Sequence, residues 1–160
     1  MLGMSAAPQP RWLSAEQQAV WRVYLDGVAR IQDAVDADLR SHGLDLAEYE
    51  ILVRLSESDD RSMRMSDLAE ATRQSRSRLT HTVTRLERNG HVTRAPAPDD
   101  RRGVMASLTD AGYALLERAA PHHVAAVRAV LVDVADPADF AALGRVMGAV
   151  MATPAAGAGS

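Results

Sequence analysis

The sequence predicts a mainly α-helical chain carrying one small β-hairpin. Three observations predict it. Apolar residues recur every three or four positions through most of the chain. The stretch "HVTRAPAPDDRRGVMASLT", residues 91–109, breaks that period with two strand-like runs around prolines, acids, arginines and a glycine. Capping residues or glycines bracket the helical runs.

Taken in order, residues 1–13 read as a tail, expected to be disordered. Ser14 is placed to cap a helix running to about Ser41, where His42-Gly43 stops it. Along it Trp21, Tyr24, Val28, Ile31 and Val35 form a narrow, long apolar seam, which suits helix-on-helix pairing. Asp45 can cap a second helix that turns Tyr49, Leu52, Val53 and Leu55 inward. "DDRSMRM" is polar and then briefly extended. Ser66 is expected to cap a short helix burying Leu68 and Ala69, and a further helix spans about Ser75 to Arg88, ended by Asn89-Gly90. After the hairpin, Thr109 or Asp110 opens a long helix that Pro121 either kinks or divides. A last helix starts near Pro137 and spaces Phe140, Leu143, Met147, Val150 and Met151 in threes and fours. Residues 153–160 read as a small, flexible tail.

Composition narrows the function. A chain of 160 residues, 47% apolar, fits one packed domain with helical extensions. There is no cysteine, which removes disulfides and thiolate metal sites and fits a reducing cytoplasm. No run of 18 apolar residues exists and the start does not read as a signal peptide, so neither a membrane span nor secretion is expected. Every basic residue is arginine. The net charge is only −3, but its distribution is uneven. From Arg61 to Arg102 ten arginines face five acids, whereas the remainder holds eight arginines and sixteen acids. An acidic body with a basic middle is the asymmetry expected when one face meets a polyanion.

The helix from Ser75 to Arg88 carries the chemistry. On a helical wheel Leu79, Val83 and Leu86 fall on one stripe, the packing side. Opposite lie Ser77, His81, Thr84, Arg85 and Arg88, with Arg78 at the edge. All can donate a hydrogen bond and none is acidic. A solvated face normally mixes signs. Preceded by a short helix and a tight turn ("ATRQS"), this is the pattern of a helix-turn-helix whose second helix enters the major groove of DNA. Ser77, Arg78, His81, Thr84 and Arg85 are the expected base readers. Arg73, Gln74, Ser75, Arg76 and Arg88 are the expected phosphate contacts. The hairpin that follows is then a wing, with Arg101 and Arg102 as minor-groove probes and prolines stiffening the tip. Asp99 and Asp100 are expected to act internally, bonding turn N–H groups or holding an arginine; Asp100 supports the wing.

At these residues the chain resembles the MarR family of winged-helix regulators. "TRLERNGHVTRAPAPDDRRGVMASLTDAG" carries the family's R-L-E-x-x-G-x-V-x-R run, then Asp100 and Arg102 of its D-x-R, then Leu108, Thr109 and Gly112 of its L-T-x-x-G. It departs from the family at Ala97-Pro98, where Asp-Pro is usual. The resemblance covers roughly Glu16 to Met151. It implies a homodimer whose helical dimerisation region, 14–42 and 110–152, joins the first and last helices around a winged helix-turn-helix domain at 45–109. It also implies a pseudo-palindromic double-stranded operator, usually bound to repress, and release by a small aromatic effector. The effector cleft would lie between the dimer helices and the DNA-binding lobe, with Trp21, Tyr24 and Tyr49 as candidates.

Other patterns are weaker. Adjacent His122 and His123 point about 100° apart on a helix, so with His42 they make a poor metal site, and no metal or cofactor is expected. Ser75 or Ser77 with His81 lacks an oxyanion signature, so no enzyme is expected. A winged helix used only for protein–protein contact is the alternative, although such a module would not need an acid-free helix face.

Overall fold

The computed structural model describes residues 10–98 and 100–154, and of Arg101 the backbone alone; Asp99 and most of the expected tails lie outside the described residues. Six helices and three strands follow in the order α1 (Ala15–Arg40), α2 (Leu46–Glu57), β1 (Ser62–Arg64), α3 (Met65–Ala71), α4 (Arg76–Arg88), β2 (Val92–Ala97), β3 (Asp100–Leu108), α5 (Asp110–Val127) and α6 (Pro137–Ala152).

Local chemistry explains most of the boundaries. Ser14 and Asp45 each form a reciprocal capping box, with Gln17 and Glu48 respectively. Ser75, Thr109 and Asp136 cap α4, α5 and α6 through their side chains. Ser66 does not cap α3. That helix starts two residues earlier than a Ser66 cap implies, Arg64 holds the cap position without a side-chain bond, and the Ser66 hydroxyl donates to Asp67 instead. Pro121 does not divide α5, which runs through it to Val127 and leaves by a π-helical turn at Arg128–Val132.

The sheet is antiparallel with order β1-β3-β2. Val92 pairs with Leu108 and Pro96 with Val104, and the register shifts between Pro96 and Ala97 so that Ala97 meets Asp100. Pro96 is tolerated because β2 is an edge strand. The paired strands therefore run closer to the tip than the sequence suggested. Arg101 and Arg102 stand on β3 just past the tip, not on a loop.

One core lies beneath the sheet. Leu52 and Leu55 of α2, Leu68 of α3, Leu79 and Leu86 of α4 and Val92 of β2 are almost wholly inaccessible, each such side chain contributing about 1.5–3 kcal/mol. Val35 and Leu39 of α1 and Leu115, Leu116 and Ala119 of α5 complete it. The lobe thus borrows the end of α1 and the start of α5 from the expected dimerisation helices. Gly112 lets α5 close on the hairpin, for a Cβ there would sit 2.1 Å from the His91 carbonyl oxygen. The first half of α1 contributes nothing to this core, and α6 has no buried residue.

Candidate nucleic-acid interface

Helix α4 is held from beneath by Leu79, Val83 and Leu86. Its first turn contains no acid and its last turn holds Arg85 and Arg88. Ser75 spends its oxygen on the Arg78 N–H at 3.3 Å, closing one of the free amides of the N-terminus. Outward, Arg76, Ser77, Arg78, Thr80, His81 and Arg88 are exposed. Among the described residues, Arg76, Arg78, Arg88 and Arg102 make no close ion pair.

Three expected contacts are placed differently. Arg85 turns sideways to α2. Its guanidinium pairs with Asp45, and its Nε donates to Glu48 Oε1 at 3.1 Å. The hydrogen bond to Asp45 raises its pKa, and nearby Glu48 adds to the effect. It ties the recognition helix to α2 and is not an open base reader. Gln74 has both amide atoms shielded from solvent, which leaves neither for a phosphate. Thr84 is half-buried and its hydroxyl donates to the Thr80 carbonyl at 2.7 Å, so it offers lone pairs and a methyl group to a ligand, not a donor. Arg73 is exposed in the helix-turn-helix turn, where its φ is +51°, and its guanidinium lies 3.4 Å from Met151 Sδ.

Glu87, the one acid of α4, is taken up within the lobe. Arg94 of β2 donates to it from Nε at 3.0 Å and from its backbone N–H at 3.2 Å, and the hydrogen bond from Arg94 holds the Glu87 carboxyl below its ordinary range. The wing is organised in the same way. Asp100 Oδ1 accepts the Arg102 N–H at 2.9 Å, and its Oδ2 lies 3.8 Å from Arg64 Nη1. Arg102 itself is exposed; the side chain of Arg101 lies outside the described residues.

A polar groove of about 330 Å³ runs between α4 and the wing, lined by Arg64, Ser66, Arg76, Thr80, Asp100 and Arg102 among others. Sequence reasoning missed Arg64, Ser66 and Thr80. Thr80 was detectable, one turn from Arg76 on the same flank. Arg64 had no local signal, because its place beside the wing depends on β1 pairing with β3, Arg64 opposite Met105.

The aromatic candidates do not form one cleft. Trp21 and Tyr24 stack with centroids 5.5 Å apart in an apolar groove between α1 and α6. Tyr49 lies against His123 of α5, centroids 4.3 Å apart. The neighbouring Asp38 acts on the same His123 and is about 25 Å from Trp21 along α1 at helical rise. His42 does meet His122, at 4.8 Å between centroids, but no group of three metal-binding side chains occurs among the described residues. No helix among them is long and apolar enough to cross a membrane.

Comparison with known proteins agrees with this fold. A family model described as the MarR family matches residues 42–103. Sco3205 of Streptomyces coelicolor, a MarR family transcriptional regulator solved in complex with DNA, is 44% identical over 91% of each chain, with a TM-score of 0.86. AbsC of the same organism, also a MarR family transcriptional regulator, is 42% identical over 89% of this chain and 96% of its own, with a TM-score of 0.84. The transcriptional regulator PecS of Dickeya dadantii is 33% identical over 102 residues, 63% of this chain and 61% of PecS. The chain thus spans about three fifths of the length of that curated relative. On the strength of the near full-length likeness to Sco3205 and AbsC, the chain belongs to the MarR family of winged helix-turn-helix transcriptional regulators.

Proposed function

We propose that two copies of this chain bind a pseudo-palindromic duplex operator in the cytoplasm and repress transcription from it. Helix α4 of each copy enters a major groove, where Ser77, Arg78 and His81 reach base edges. Arg76 and Arg88 take flanking phosphates, and Arg101 and Arg102 of each wing enter the adjoining minor groove. The observation that carries this reading is the outward face of α4: six exposed side chains, three of them arginine and none acidic. Three acids near the face are engaged elsewhere, Asp45 and Glu48 with Arg85 and Glu87 with Arg94.

Dimer formation is part of the same proposal. The groove between α1 and α6, lined by Leu13, Val20, Trp21, Tyr24, Met147 and Val150, is apolar and open. A second copy entwined through the same helices would close it. A small aromatic effector would act from a cleft between the dimer helices and the lobe, on the side of Tyr49, by shifting the spacing of the two lobes.

The test is selection of bound duplexes from random or genomic fragments, followed by affinity measurement on the recovered site. Six to ten phosphate contacts imply that affinity falls on the order of 10³-fold or more between about 50 and about 200 mM salt. Recovery of no site at low salt would refute the reading.

A further inference from the structure

We infer that Arg64 is a positioning residue for the wing: it sets the angle at which Arg102 is presented relative to the recognition helix. The inference rests on the reading of α4 and the wing as a DNA-binding surface. Arg64 belongs to two elements at once. It ends β1, paired with β3 opposite Met105, and it occupies the cap position of α3, the first helix of the helix-turn-helix. Its side chain, about two-thirds covered, reaches toward the tip of the wing and comes within 3.8 Å of Asp100 Oδ2. Asp100 in turn holds the Arg102 N–H through its other oxygen. A continuous connection therefore runs from the start of α3 through Arg64 and Asp100 to the backbone of the probe.

Gly103 shows that this path is built in. A Cβ at that position would stand 2.5 Å from Arg64 Nη1 and 3.0 Å from the Ala97 Cβ, so any larger residue would displace the guanidinium. The tightest of these contacts is the one to Arg64, which lies outside the β2–β3 hairpin. A two-stranded ribbon twists and bends readily, and a third attachment point restricts it before DNA arrives, which lowers the ordering cost of docking.

The experiment is a double-mutant cycle on the selected operator, using Arg64→Gln, Arg102→Ala and the pair, with melting temperature and groove-specific footprints recorded for each. Arg64→Gln should weaken binding about tenfold. It should remove minor-groove protection at the flanks and leave both the central major-groove protection and the melting temperature unchanged. Because Arg64 acts through Arg102, the double variant should bind like Arg102→Ala alone. Gly103→Ala should reproduce the Arg64→Gln footprint, and Arg64→Lys should keep part of the flank protection. Additive losses would make Arg64 a direct phosphate contact and overturn the inference. So would loss of all footprints together with the melting transition, or unchanged binding by Arg64→Gln. If the wild-type chain itself binds no duplex, the proposed function has failed; if it binds and only the cycle is additive, this inference alone has failed.

Discussion

The winged lobe and the helical arms are built from similar residues but satisfied in different ways. In the lobe, Leu39, Ile51, Leu52, Leu55, Leu79 and Leu86 are closed off from solvent within one chain. In the arms, Trp12 is 82% exposed, Val23 72% and Val150 59%, and α6 buries nothing. Scattered exposed apolar residues need no explanation, but a contiguous apolar groove lined by both α1 and α6 does. The difference teaches that the lobe's core is complete in a single copy, whereas the arms leave open the apolar groove that the proposed second copy would close.

The largest effect should come from charging the arm groove. Trp21→Asp places an unpaired carboxylate in the proposed subunit contact of each copy, at a cost of about 3–5 kcal/mol per charge. Sedimentation velocity should show monomers whose circular dichroism still reports folded helices. A stable dimer of this variant would end the contrast between arms and lobe.

Within the lobe, Leu52→Ala should lose about 2–5 kcal/mol in urea unfolding, since it empties a fully buried site. Its folded fraction should still dimerise. Arg85→Ala separates the two roles of α4. The Arg85 side chain is about 40% exposed, so its pairs with Asp45 and Glu48 are screened, and the loss should be about 1 kcal/mol. Base preference should stay the same. A changed base preference in a repeated selection would return Arg85 to the reading face.

Much of this was legible in the sequence because it is local. Ser14, Asp45 and Ser75 announce their helices through side-chain caps, and the stripe Leu79, Val83, Leu86 identifies the buried side of α4. The basic face followed from the same wheel. Non-local pairings were not legible. Arg85 looked like its neighbours until α2 brought Asp45 and Glu48 beside it, across 40 and 37 positions of sequence. Arg64 needed the β1–β3 register. Tyr49 was grouped with Trp21 and Tyr24 on residue type alone, although α1 separates them by most of its length.

The smallest effect tests the junction between the two regions. Burial of His123, where α5 packs beside α2, pushes its pKa below 6.5, although the carboxylate of Asp38 pulls it upward; Tyr49 faces the same ring from α2. The unfolded chain then binds this proton more readily, so stability is full above about pH 6.5 and declines as pH falls from there through the folded pKa. His123→Phe should flatten that part of the dependence. The check is the urea midpoint at about pH 7.5 minus that at about pH 5.5, compared between wild type and variant. Equal differences would show that His123 is not buried uncharged.

The proposed dimer holds two lobes at a fixed spacing through its arms. Its most direct test is the mass of the complex on a selected operator together with a base-resolved major-groove footprint. Two chains per duplex, with protected centres roughly 34–36 Å apart, is the expected result. One chain per duplex, or protection of a single groove, would contradict the account.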